Sequence, residues 1–242
     1  MAITNIQKIN SFAIRAFRET ADKDYVHARM AYKASLVPQF LWSSLHALEK
    51  YAKCILILNR IPKPTERIGH EVLKSLELVK DKVDICLSKQ TMEFLDRLEN
   101  GARFRYYEVS WFVDGPELTV LDRAIWELRR YCNTGLYDYS ENGVVVNKFE
   151  HERVKSIDRP TRQNTFITGG WLESVLNKKS HDAREFLVWS NLYYTKSNRR
   201  TARVKSGFYA GNSPFYLHPE IIEEVRKYVF VPKEVVKAYQ KG

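Results

Sequence analysis

The segment from Pro38 to Ile61 restricts the fold more than any other part of the chain. One set of apolar residues falls at Leu41, Leu45, Leu48, Ala52 and Ile55, and a second at Phe40, Ala47, Tyr51, Cys54 and Leu58. Both sets follow the three-and-four spacing of a helix face. Two neighbouring stripes make one wide buried face, which predicts the central helix of the protein. His46, Glu49, Lys50 and Lys53 share the remaining side. Pro62 and Pro64 close the segment, because proline lacks the donor that would continue the helix.

Weaker stripes predict its neighbours. Phe17, Ala21, Tyr25, Ala28 and Tyr32 give a helix over roughly 11–35. Leu73, Leu76, Val79 and Val83 give one from about 70 to 86. Met92, Leu95, Leu98 and Ala102 give a fourth, with the turn signal Asn100-Gly101 inside it. Leu118, Leu121, Ile125, Leu128 and Cys132 give a fifth, opened by Asp114-Gly115-Pro116. Short connections favour antiparallel packing, so residues 11–138 are expected to form a mainly α, up-and-down helical bundle. Residues 139–242 are expected to form a mixed, mostly helical extension packed on it. That extension holds the turn Glu141-Asn142-Gly143 before a short strand at Val144–Val146, and a polar irregular stretch over 147–170. Helices are expected over about 181–195, from Pro219 to about Tyr228, and after Pro232, with a loop or hairpin over 197–217.

Composition narrows the function classes. The 242 residues include 12 Phe, 14 Tyr and 5 Trp, too many rings for a disordered chain. No apolar run approaches the ~18–20 residues of a membrane span, and MAITNIQKIN has no apolar signal-peptide centre. Cys54, Cys86 and Cys132 are odd in number and widely spaced, which argues against a disulfide framework and a zinc site. A reduced, cytoplasmic protein without membrane partner, metal or cofactor is the expectation.

Charge points to a partner. The net charge of +10 is uneven, with 18 Lys/Arg against 11 Asp/Glu in residues 140–242. The 34 residues from Phe186 to Pro219 contain no acid at all. They hold Lys196, Arg199, Arg200, Arg203 and Lys205, preceded by Tyr193 and Tyr194 and followed by Phe208, Tyr209, Phe215 and Tyr216. Cations neutralise phosphates and aromatic faces stack on unpaired bases, so Tyr193, Tyr194 and these five cations are the candidate nucleic-acid contacts. The alternative is a solvated basic loop whose rings plug the bundle. A second cluster is Arg67-Ile68-Gly69-His70. There a histidine at a helix start and a nearby Arg could cleave RNA without metal, the His moving a proton and the Arg holding charge. Arg105, within Arg103-Phe104-Arg105-Tyr106-Tyr107-Glu108, is a third candidate for that cleft. Phosphate-loop, dinucleotide, HExxH and GxSxG signatures are absent.

Residues from Ala21 to Cys132 resemble the HEPN (higher eukaryotes and prokaryotes nucleotide-binding) domain family. The resemblance is carried by Ala21-Asp22-Lys23-Asp24-Tyr25 with Ala28-Arg29, and by Phe40-Leu41-Trp42 with Ala47-Leu48-Glu49-Lys50-Tyr51-Ala52-Lys53. Gly69-His70-Glu71-Val72-Leu73 and Arg105-Tyr106 complete it. It implies a four- or five-helix bundle, often dimeric, in proteins of RNA cleavage, toxin–antitoxin pairs and antiviral defence. The family's ribonucleases resemble one another in an Arg, four to six residues, then His. This chain departs from that pattern at all six histidines. The expectation is therefore an RNA- or nucleotide-binding protein without efficient catalysis. A metal-independent ribonuclease using His70, Arg67 and Arg105, or a homodimerising interaction module, is the alternative.

Overall fold

The computed structural model describes residues 3–62, 71–101, 108–114, 116–157, 167–195, 201–202 and 208–239. It is mainly helical. Helix α1 (Asn5–Phe12) runs through π-helical turns at Ala13–Arg18 into α2 (Glu19–Lys33). Thr4 and Gln7 cap its start reciprocally. Helix α3 (Val37–Leu58) is the long central element, with Pro38 in its first turn, where a missing donor costs nothing. Next come α4 (Val72–Glu77), α5 (Lys89–Gly101), strand β1 (Trp111–Val113) and α6 (Glu117–Arg129). The hairpin β2 (Tyr137–Ser140) and β3 (Gly143–Val146) follows, then α7 (Lys148–Lys155), α8 (Trp171–Asn177) and α9 (Arg184–Val188). Strand β4 (Tyr209–Gly211) precedes the short helices α10 (Pro214–Leu217) and α11 (Ile222–Val225), and then α12 (Lys233–Tyr239).

Both stripes of α3 are buried, as their width required: Phe40, Leu45, Leu48, Tyr51, Ile55 and Leu58 lie in one core. The facing stripes of α2, α5 and α6 close around them. The same core takes in Leu172, Val175, Leu176, Leu187 and Tyr194 from the chain's last third. A small second cluster, Phe215, Ile222, Val231 and Val235, gathers the C-terminal helices. The hairpin turn stands where Glu141-Asn142-Gly143 placed it, and Gly143 takes φ of 133°, a conformation that favours glycine.

A buried ionic cluster joins the last third to the bundle. Arg129 on α6 donates from Nε to Asp22 Oδ1 at 2.7 Å and from Nη1 to Glu173 Oε1 at 2.7 Å. Arg29 on α2 pairs with Asp122 on α6. The phenol of Tyr51 donates to Asp22 at 2.6 Å, and that of Tyr25 to Asp122 at 2.7 Å. Because Asp22 meets Arg129 while Arg29 meets Asp122, α2 and α6 run antiparallel. Seven residues, about two helical turns, separate the charges on each helix. Burial opposes ionisation of Glu173, yet the Arg129 guanidinium holds its carboxyl below the usual range. Burial pushes the Asp122 carboxyl up, against the pull of Arg29.

Several elements differ from the sequence reading. The helix expected over 70–86 stops at Glu77, and the following chain is irregular. Val79 and Val83 are buried all the same, their N–H groups bonded within local turns, and side-chain acceptors meet the chain beyond them. Cys86 N–H donates to Tyr131 Oη at 3.0 Å, and Ser88 N–H to Glu127 Oε2 at 2.9 Å. The stretch expected to be irregular over 147–170 contains α7, which Asn147 caps by accepting from Glu150 N–H at 3.1 Å. The helix expected over 181–195 is only α9. Arg29 takes the carbonyls of Phe186 and Trp189, and Ser190 turns into left-handed backbone with φ of 49°. No described helix is long and apolar enough to cross a membrane.

Candidate nucleic-acid interface

Strands β1 and β4, about a hundred residues apart in sequence, pair antiparallel with Trp111 opposite Gly211, Phe112 opposite Ala210 and Val113 opposite Tyr209. Strand side chains alternate between faces. Val113 is buried and Trp111 and Tyr209 lean on the core, so Phe112 and Ala210 face outward. Phe208, one residue before β4, faces outward as well. Phe112 is 50% and Phe208 68% exposed, and their rings stack at 6.0 Å between centroids with planes 20° apart.

A cation borders this pair. The Arg97 guanidinium, from α5, lies 5.6 Å from the centre of the Phe112 ring and 5.5 Å from that of Phe94. Its partner is Glu117 in the first turn of α6. Arg97 keeps about a third of its side chain exposed, whereas Glu117 is buried. Burial pushes the Glu117 carboxyl above the ordinary carboxylate range, Arg97 offsets part of that, and Asp114 adds to it. Past the ribbon, Ser213 N–H donates to Ser110 Oγ at 2.9 Å and Ser213 Oγ to the Glu108 carbonyl at 3.0 Å, which fastens both strands at that end.

The ribbon depends on one close approach. A Cβ on Gly211 would lie 2.7–2.8 Å from the Trp111 indole, too near for any real side chain. Gly211→Ala is therefore expected to lower stability in urea unfolding by about 1–3 kcal/mol, the usual range for overpacking. Gly101, with open space around it at the end of α5, is the comparison. Gly101→Ala should change stability by less than about 1 kcal/mol, and toward greater stability.

The sequence-chosen residues fall into two groups. Arg67, His70 and Arg105 lie outside the described residues, and so do Lys196, Arg199, Arg200, Arg203 and Lys205. Of the two tyrosines, Tyr194 is only 2% exposed, its ring set between Tyr25 and Arg129, which leaves no face for a base. Tyr193 is half-buried against Trp126 at 5.3 Å, and its phenol accepts from Arg123 Nε at 3.0 Å. Both follow Asn191, whose side-chain oxygen accepts from their backbone N–H groups. These two rings are thus packing residues of the docked segment. Phe112 and Arg97 escaped the sequence reading: a three-residue strand is too short to show alternation. Phe208 was visible only as one of several rings near the basic stretch.

Comparison of the chain with protein-family models, with curated proteins and with solved structures gave no match in any of the three.

Proposed function

We propose that the outer face of the β1–β4 ribbon is a stacking platform for unpaired bases, and that the protein binds single-stranded RNA or a nucleotide there. The exposed Phe112–Phe208 stack carries this reading. Burying a phenylalanine side chain is worth about 1.5–3 kcal/mol, yet two are left side by side in solvent next to a guanidinium. Every base has a π-face, and base–aromatic stacking is worth about 1–3 kcal/mol per base. The sequence adds positive charge just ahead of each strand. Arg103 and Arg105 precede β1, and Arg199, Arg200, Arg203 and Lys205 precede β4. The resemblance of residues 21–132 to HEPN bundles points to the same ligand class.

The test is fluorescence anisotropy with a short dye-labelled oligouridine over a salt series. Wild type is expected to bind in a steeply salt-dependent way. Phe112→Ala with Phe208→Ala should weaken binding roughly 5- to 100-fold while leaving the salt slope unchanged, because the phosphate contacts remain. Absence of binding at low salt, or equal affinity of the double variant, overturns the proposal.

A further inference from the structure

Arg97 and Glu117 form an uneven pair beside the platform. The Arg97 side chain is one-third exposed, with its guanidinium 5.6 Å from the centre of the Phe112 ring, whereas Glu117 is 3% exposed. One carboxylate oxygen, Oε1, meets Arg97. The other, Oε2, is buried with no hydrogen-bond partner among the described residues. Arg97 is the cation among them that offsets the burial of Glu117. The other titratable groups around it supply no second cation. Asp114, just before α6, is a like charge, and the phenols of Tyr32 on α2 and Tyr209 on β4 lie in the same neighbourhood.

This arrangement makes the exposed partner available and leaves the buried one dependent on it. A phosphate competing for Arg97 offers a second anion at the solvent side, and planar guanidinium donors suit phosphate oxygens. Glu117 would then be a buried carboxylate without a cation, a state disfavoured unless it is neutralised. Taking a proton from solvent neutralises it.

We propose that Arg97 is the phosphate anchor of the platform, held on Glu117 until a nucleic-acid phosphate takes it, and that Glu117 binds one proton as it lets go. The proposal rests on the platform reading and adds a residue and a linkage to it. The step balances: Glu117 carboxylate plus a solvent proton gives the neutral acid, and the Arg97 charge passes from carboxylate to phosphate. The sign follows. Binding raises the affinity of Glu117 for a proton, so RNA affinity rises as pH falls, up to about tenfold per pH unit between the free and bound titration points. Outside that window the dependence flattens.

The experiment titrates the dye-labelled oligouridine at constant ionic strength from about pH 8 to about pH 5.5 with wild type, Glu117→Gln and Arg97→Gln. Expected are a rise in wild-type affinity toward acid, several-fold tighter and flatter binding by Glu117→Gln near neutral pH, and weaker, flatter binding by Arg97→Gln. Calorimetry of wild type in two buffers of different ionisation enthalpy counts protons without any variant, and about one proton should be taken up inside the window. Equal pH slopes for wild type and Glu117→Gln, undiminished affinity of Arg97→Gln, or no proton uptake by wild type overturns the linkage while the platform stands. Absence of oligouridine binding by wild type at low salt removes the platform itself.

Discussion

Arg129→Met is expected to reduce folding stability by about 3–5 kcal/mol, the usual loss when one partner of a buried ion pair is removed. The substitution keeps most of the side-chain volume but strips the cation from two buried carboxylates. Asp22 and Glu173 would each lose two hydrogen bonds, at 2.7–2.9 Å. Glu173 would keep its contact with Ile167 N–H at 3.0 Å, and Asp22 its contact with Tyr51. Neither replaces a positive charge. Domains of ordinary stability have about 5–15 kcal/mol in total, so about a fifth or more would disappear. The urea midpoint measured by circular dichroism checks this. Adding Asp22→Asn and Glu173→Gln to Arg129→Met should recover part of the loss, because neutral amides are far less costly to bury than carboxylates. A shift below about 1 kcal/mol for Arg129→Met alone would show that the cluster is hydrated in solution.

Arg29→Met has a different expected signature. It orphans Asp122, so the global loss should again be about 3–5 kcal/mol. It also frees the carbonyls of Phe186 and Trp189, which Arg29 ties to α2. The hydrogen bonds that then still tie the segment include Asn191 on the Tyr25 phenol at 2.8 Å, Arg123 on the Tyr193 phenol at 3.0 Å and Arg184 on the Leu176 carbonyl at 3.2 Å, a weaker hold than before. Local opening of residues 184–195 should therefore precede global unfolding, as faster amide hydrogen exchange confined to that segment. Lys33→Ala is the control. Lys33 reaches Glu185 in the same segment, but as an exposed pair, and its loss should cost no more than about 1 kcal/mol. Uniform exchange in Arg29→Met would show that residues 184–195 do not open separately.

The two sites differ in how readable they were. The central helix announced itself, because two adjacent apolar stripes over more than twenty residues leave no other low-energy arrangement. The stripes of α2, α5 and α6 did the same at lower amplitude. The charged cluster gave a quieter sign: Asp22 and Arg29, and Asp122 and Arg129, share a seven-residue spacing alongside the apolar stripes. Residues at that spacing lie on one helix face, so both pairs accompany the buried side. The residues themselves cannot tell whether such a charge meets solvent, its own helix or a partner a hundred positions away.

Local sequence thus determined where the helices of the bundle lie and which faces they hide, since periodicity is a property of neighbouring residues. Tertiary structure decided the rest. It shortened the helices over 70–86 and 181–195, whose backbone groups meet outside partners, Tyr131 at Cys86 for the first and Arg29 at Phe186 and Trp189 for the second. It buried Tyr194 in the main core and exposed Phe112, the more hydrophobic ring, because only the pairing of β1 with β4 sets which way that three-residue strand turns its side chains. A hydrogen-bonded partner from the far end of the chain leaves no periodic trace in either strand.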